Sequence, residues 1–164
     1  MIKIHLQRLC HLLIGFLPGL ISIVLPRKND RIIFNSTRNS SYNFNSRYLF
    51  EYFLVHHSDL DCKYVINNKK ARALLKKRHG DYFISSLSLI NIFTILRAGT
   101  WVCSSLETPV GGIFLAKNRT VLHLGHGNPL KNIGLLEKKL SPVKFFYYLP
   151  VSYTHLTLPT TPYV

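Results

Sequence analysis

The chain has 164 residues, 47% of them hydrophobic, which suffices for one domain with a real core and excludes a disordered or repeat-built molecule. Lysine and arginine number 21 against 7 acidic residues, a formal net charge of +14, so an anionic partner is expected: nucleic acid, acidic lipid or a phosphorylated substrate. Three cysteines, Cys10, Cys62 and Cys103, are odd in number and far apart, which excludes a disulfide framework or zinc knuckle and predicts buried free thiols.

Residues 1–29 form a segment of their own. The apolar stretch from Leu9 to Leu25 is flanked by Lys3 and Arg8 on one side and by Arg27, Lys28 and Arg31 on the other. It falls short of the about 20 apolar residues a spanning helix needs. His11, Gly15, Pro18 and Gly19 interrupt it, and "SIVLPRK" makes a poor signal-peptide cleavage site. A kinked helix lying in the membrane interface fits this pattern better than a spanning anchor or a helix buried in the protein.

From residue 30 to 150 strands and helices alternate. "RIIFNS" predicts a buried strand, and "NSRYLFEYFLVHH" a helix capped by Asn45 or Ser46, with Tyr48, Leu49, Tyr52 and Phe53 on one face. "CKYVIN" is the second strand, and "NKKARALLKKRHG" a basic amphipathic helix ended by Gly80. "DYFISS", "TWVCSS" and "RTVLHLG" are further strands; "SLINIFTILRAG", ended by Gly99, and "PLKNIGLLEKK" are further helices. This is βαβ spacing. It predicts an α/β fold, a Rossmann-like parallel sheet with helices on both faces. The polar stretch "NSTRNSSYNFNS" then lies beyond the carboxyl end of a strand, where open α/β sheets bind ligands, and "LETPVGGIFLAKN" is a second such loop.

The densest chemistry is in "VLHLGHGNPLKNIGLLEKK". Gly125 and Gly127 flank His126 and allow close backbone approach to a ligand. Pro129 suits the first turn of a helix, with Asn128 as its cap. The free N–H groups of that turn favour a phosphate, and Lys131 adds a full positive charge. His126 suits a general base taking a proton from a hydroxyl, so base plus phosphate cradle suggests transfer of a phosphoryl-type group to an alcohol. His123 and His126 point to opposite faces of an extended chain, with no carboxylate or thiol close by, so no metal is expected and His123 reads as structural. His56 and His57 close a helix as partners of its dipole. The Asn-x-Ser/Thr sequons at Asn35, Asn39 and Asn118 carry no meaning without a secretory route.

The end, "VSYTHLTLPTTPYV" (151–164), has no Lys, Arg, Asp or Glu and neither helical nor strand periodicity. "VSYTHLTLPT" resembles the translation of a transposon adaptor used to build sequencing libraries. The segment is therefore expected to be artefactual, with the natural frame cut near Pro150, and it stays outside the fold reasoning.

Two stretches carry a family resemblance. "HLGHGNPLKNIG" resembles the "HGTPLK…G" motif of the CDP-glycerol glycerophosphotransferase family of teichoic-acid polymerases and primases, and "NFNSRYLFEYFL" resembles that family's N-terminal signature. They stand in the family's order. The resemblance, over roughly Leu25 to Pro150, implies the N-terminal, acceptor-side half of a GT-B fold, truncated before the second domain. The implied reaction moves glycerol phosphate, or a related polyol phosphate, from CDP-glycerol or another CDP-polyol to a hydroxyl of a lipid-linked, polyprenyl-diphosphate-type acceptor and releases CMP. His126 aligns with the family's general base. Gly125, Gly127, Asn128, Pro129 and Lys131, with Asn45 in the second motif, are the expected substrate and phosphate contacts; Asn128 departs from the family's usual Thr. No cofactor is implied. The expected place of work is the cytoplasmic face of a bacterial membrane, on an anionic surface. The truncated chain alone is expected not to turn over CDP-glycerol. The alternative is a basic membrane- or nucleic-acid-binding module without catalysis, but Lys and Arg are not interleaved with aromatics on any recognition element, so no nucleic acid is expected.

Overall fold

The computed structural model describes residues 20, 24–105, 107–110, 119–125, 141, 142 and 145. Five strands, β1 (Lys28–Asn35), β2 (Asp61–Val65), β3 (Phe83–Ile84), β4 (Ala98–Cys103) and β5 (Thr120–His123), form one parallel sheet in the order β3-β2-β1-β4-β5. Helices α1 (Phe44–His56), α2 (Lys69–His79) and α3 (Leu89–Leu96) make three of the connections. Strand order reverses at β1. Right-handed crossovers then require α1 and α2 on one face and α3 on the other.

Side-chain alternation along the strands confirms this division. Phe34, Cys62, Tyr64, Phe83 and Val102 face α1 and α2 and bury Phe50, with Leu49, Phe53, Leu54, Ala71 and Leu75 packed against them. Ile33, Val65, Trp101, Cys103 and Val121 face the other way and bury Ile92, Ile95 and Leu96 of α3. The first face is aromatic. Phe34 meets Phe50 edge-on at 5.2 Å between centroids, and Tyr42 meets Tyr64 at 4.9 Å. Such pairs add about 0.5–1.5 kcal/mol each beyond area burial. Among the described cysteines, Cys62 and Cys103 are free and buried, and burial pushes both thiols up, Cys62 to about 11.

The sheet, its parallel sense and the helices on both faces match the sequence expectation; four local details differ. The cap of α1 is Asn43, not Asn45 or Ser46. Its buried face runs through Ser46, Leu49, Phe50 and Phe53, whereas Tyr48 and Tyr52 are 66% and 52% exposed, because the core-facing stripe is offset by about one residue from the aromatic one. The third strand is cut to Phe83–Ile84. Finally, Gly99 does not end α3, which stops at Leu96 with Arg97 as its cap; Gly99 lies inside β4. A Cβ there would stand 3.0 Å from the Asn29 Cα and 3.2 Å from the Lys28 carbonyl oxygen, so this glycine permits β4 to close on β1. Gly80 does end α2, at φ 96°. The apolar N-terminal segment and the helix expected over residues 129–139 lie outside the described residues, apart from Leu20, Val24 and those from Leu25 on.

Candidate active site

Around the strand-order reversal, the carboxyl ends of β1, β4 and β5 converge on the first turn of α1. Asn35 closes β1 with its side chain fully buried. Its amide donates to Asn39 Oδ1 (2.7 Å) and to the Glu107 carbonyl (2.8 Å). The next turn places Arg38 and Asn39 in the left-handed region, at φ 56° and 53°. Asn tolerates that conformation better than most residues, and Asn39 uses it to reach three ways. Its side chain donates to the Pro109 carbonyl (3.0 Å), and its own carbonyl accepts from Asn67 N–H (2.6 Å). The Glu107 carboxylate accepts from Arg38 N–H. The loops after β1, β2 and β4 are thereby fastened together.

The start of α1 is occupied by the chain's own groups. The Ser36 hydroxyl donates to Asn43 Oδ1, and Ser46 N–H donates to Ser104 Oγ at 2.8 Å. The Ser46 hydroxyl pairs with the Tyr64 hydroxyl at 2.9 Å, and burial raises the Tyr64 phenol to about 12. A buried N–H already satisfied by a side chain is not open to a phosphate, so this helix start serves as an anchor.

What it anchors is the strand that carries the histidine motif. Asn45 donates to the Gly125 carbonyl at 3.1 Å and to the Leu124 carbonyl at 3.4 Å. Gly125 has φ 65°, and a Cβ on it would meet nothing within 4 Å. The glycine is needed for the left-handed turn, and the space beside it is open. His123, two residues before, is 4% exposed, and its Nδ1 lies 2.9 Å from the Ser105 carbonyl. A carbonyl can only accept, so Nδ1 carries the proton. Nε2 is then a buried acceptor, without a partner among the described residues. Burial lowers the pKa of this imidazole against the opposing pull of that hydrogen bond, so the ring is held neutral. Asn35, Cys103 and His123 stand in register across β1, β4 and β5 and form one row at the carboxyl edge.

Of the expected site residues, Asn45 and Gly125 are brought together across 80 positions of sequence. His126, Gly127, Asn128, Pro129 and Lys131 lie outside the described residues. Asn35 and Asn39 belong to the polar stretch expected beyond the carboxyl end of a strand, where they stand out individually only as sequons, and both are buried ties of the site's loops. Their one local signal is a run of Asn and Ser directly after an apolar strand.

The family model for CDP-Glycerol:Poly(glycerophosphate) glycerophosphotransferase matches residues 19–149. The chain belongs to this family. A curated relative, the teichoic acid poly(glycerol phosphate) polymerase of Bacillus subtilis (strain 168), is 30% identical over 111 residues, which are 68% of this chain and 14% of the relative. The chain therefore spans about one seventh of that relative's length. A solved structure of the wall teichoic acid polymerase TagF, a histidine-to-asparagine variant soaked with CDPG, aligns with a TM-score of 0.54 at 19% identity, covering 66% of this chain and 25% of that one. At that identity the likeness concerns the fold.

Proposed function

We propose that this chain is the acceptor-side, N-terminal part of a GT-B transferase of its family. In this reading the enzyme moves glycerol phosphate, or a related polyol phosphate, from a CDP-activated donor to a hydroxyl of a lipid-linked acceptor. The observation that carries the reading is the Asn45–Gly125 contact. It joins the two stretches that resemble the family, and it fixes the residue directly before His126. His126 follows directly in sequence, and its role as base rests on the family motif.

His126 takes the proton of the acceptor hydroxyl as its oxygen attacks the donor's β-phosphorus. A bond forms between that oxygen and phosphorus, the bond from phosphorus to the bridging oxygen breaks, and CMP leaves with the electron pair. Lys131 and the N–H groups that follow Asn128 and Pro129 offset the charge on the phosphate oxygens. Gly127 keeps the backbone close to the substrate. No metal or cofactor has a part in this scheme. The donor is held mainly by a second domain outside residues 30–150, residues 151–164 have no role, and the apolar segment 1–29 keeps the enzyme on the cytoplasmic face of the membrane.

The test is a chimera in which residues 19–149 replace the matching segment of the Bacillus subtilis polymerase. CMP release from CDP-glycerol with a lipid-linked acceptor is expected, and His126→Ala lowers it by roughly 10²–10⁴-fold. The 164-residue chain alone releases none. A chimera unaffected by His126→Ala overturns the assignment of the base, and CMP release by the chain alone overturns the division between two domains.

A further inference from the structure

The turn after β1 holds a residue ill suited to its backbone. Arg38 has φ 56° and ψ 19°, in the left-handed region that an arginine disfavours, and Asn39 follows it at φ 53°. Such a conformation persists where its surroundings enforce it, and it gathers at functional sites. The enforcing groups are at hand. The Glu107 carboxylate accepts from Arg38 N–H, Asn39 N–H donates to the Ser36 carbonyl at 3.0 Å, and the Asn39 side chain donates to the Pro109 carbonyl at 3.0 Å. A glycine would keep the same turn at no steric cost. The backbone gives no reason for an arginine at this position, so the reason lies in its side chain.

That side chain is exposed. Most of the described arginines have partners. Arg31 and Arg47 hold the carboxylates of Asp61 and Glu51, and Arg72, Arg97 and Arg119 donate to backbone carbonyls. The Arg38 guanidinium makes no ion pair among the described residues, although Glu107 is its neighbour, because that carboxylate takes the backbone N–H instead. Its place in the fold is that of a ligand contact. Strand order reverses at β1, and the loops after β1 and β4 flank the crevice where open α/β sheets take ligands. The same edge carries Asn45 and Gly125.

We propose that Arg38 is a substrate contact whose guanidinium binds a phosphodiester of the acceptor. The proposal rests on the reading of this domain as the acceptor side of the transferase. The family is named for transfer to poly(glycerophosphate), and an acceptor of that class presents a phosphodiester a few bonds from the hydroxyl that attacks. A guanidinium meets two oxygens of such a group with two parallel N–H donors, a fit that a lysine ammonium lacks. Holding the phosphodiester fixes the reach of the terminal hydroxyl, so Arg38 selects acceptors that already end in glycerol phosphate.

The test uses the full chain and a synthetic glycerol phosphate oligomer, with binding read by titration calorimetry and stability by thermal melting. The salt is near physiological, where charges farther apart than about 8 Å are screened. Arg38→Gln is expected to weaken oligomer binding at least about tenfold, and Arg38→Lys to restore only part of the loss. Arg38→Gly binds as weakly as Arg38→Gln yet melts no lower than the unsubstituted chain, because glycine accepts the left-handed turn. Arg78→Gln removes the same charge from the last turn of α2 and leaves the affinity nearly unchanged. Five results overturn the proposal: no binding of the oligomer by the unsubstituted chain, an Arg38→Gln chain that binds as well, an Arg78→Gln chain that loses as much, an Arg38→Gly chain that melts several degrees lower, or a larger effect of Arg38→Gln on CDP-glycerol binding than on the oligomer. The last assigns the arginine to the donor. The proposed reaction fails separately, through a chimera whose CMP release ignores His126→Ala.

Discussion

Three side chains, Asn39, Asn45 and His123, hold the carboxyl edge, and each invites a substitution with a definite sign. Asn39 combines a left-handed backbone with bonds to the loops after β1 and β4. Asn39→Gly keeps the backbone free and removes only the bonds, whereas Asn39→Ala loses both. The alanine variant should be the less stable of the two by about 1–2 kcal/mol in urea titrations. Asn45→Asp puts an anion against the Gly125 carbonyl in place of a donor. In the chimera it should depress CMP release more than Asn45→Ala does, although the surface setting leaves the melting point nearly unmoved. His123 resists protonation when folded. Above its ordinary pKa of 6.5 the ring is neutral in both states and contributes no slope. Below it the unfolded chain takes up a proton that the folded chain refuses, so stability falls as the pH drops. His123→Gln should flatten the stability profile between pH 7.5 and 5 relative to the unsubstituted chain, as read by denaturant melts across that range. None of the three roles follows from spacing alone. Asn45 stands out through its motif's resemblance to a family signature, whereas the bond of Asn39 across 70 positions leaves no periodic trace in the sequence.

Elements were far more legible. The mainly apolar runs ending in Asn or Ser fall within β1, β2 and β4 because the part of a strand that is covered on both faces is mostly apolar, and such runs are short and conspicuous. Boundaries failed where the deciding contact is tertiary. A glycine after an apolar helical stretch reads as a helix end, yet Gly99 is set by the distance between β1 and β4. Gly99→Ala brings a methyl group against backbone that cannot move aside, and it should cost about 1–3 kcal/mol, read as a lower urea midpoint with an unchanged slope. Similarly, α1 carries aromatics on two stripes, and sequence periodicity cannot tell which of them meets the sheet. His56 and His57 lie against aromatic rings at the end of that helix, His56 at 4.4 Å from Tyr52 and His57 at 5.1 Å from Phe53.

At the scale of the molecule the two edges of the sheet differ in how their polar groups are used. The carboxyl edge is a hydrogen-bonded layer of Asn, Ser and His joined by Arg38 and Glu107, and the amino edge carries arginines gathered about the end of α3. Composition revealed the cations but not that several of them gather about one helix end, because strand order decides which loops become neighbours. One residue spans this arrangement. Trp101 is the chain's only tryptophan and is 1% exposed. Its indole N–H donates to the Ile95 carbonyl at 3.0 Å, and the Arg119 guanidinium stacks 3.8 Å from its ring centroid. It is therefore pinned at once to α3 and to β5, and the chain carries its own optical gauge of whether those two pieces are seated. Any change that lifts α3 from the sheet will let water reach the indole and move its emission to the red, even where circular dichroism still records intact helices and strands.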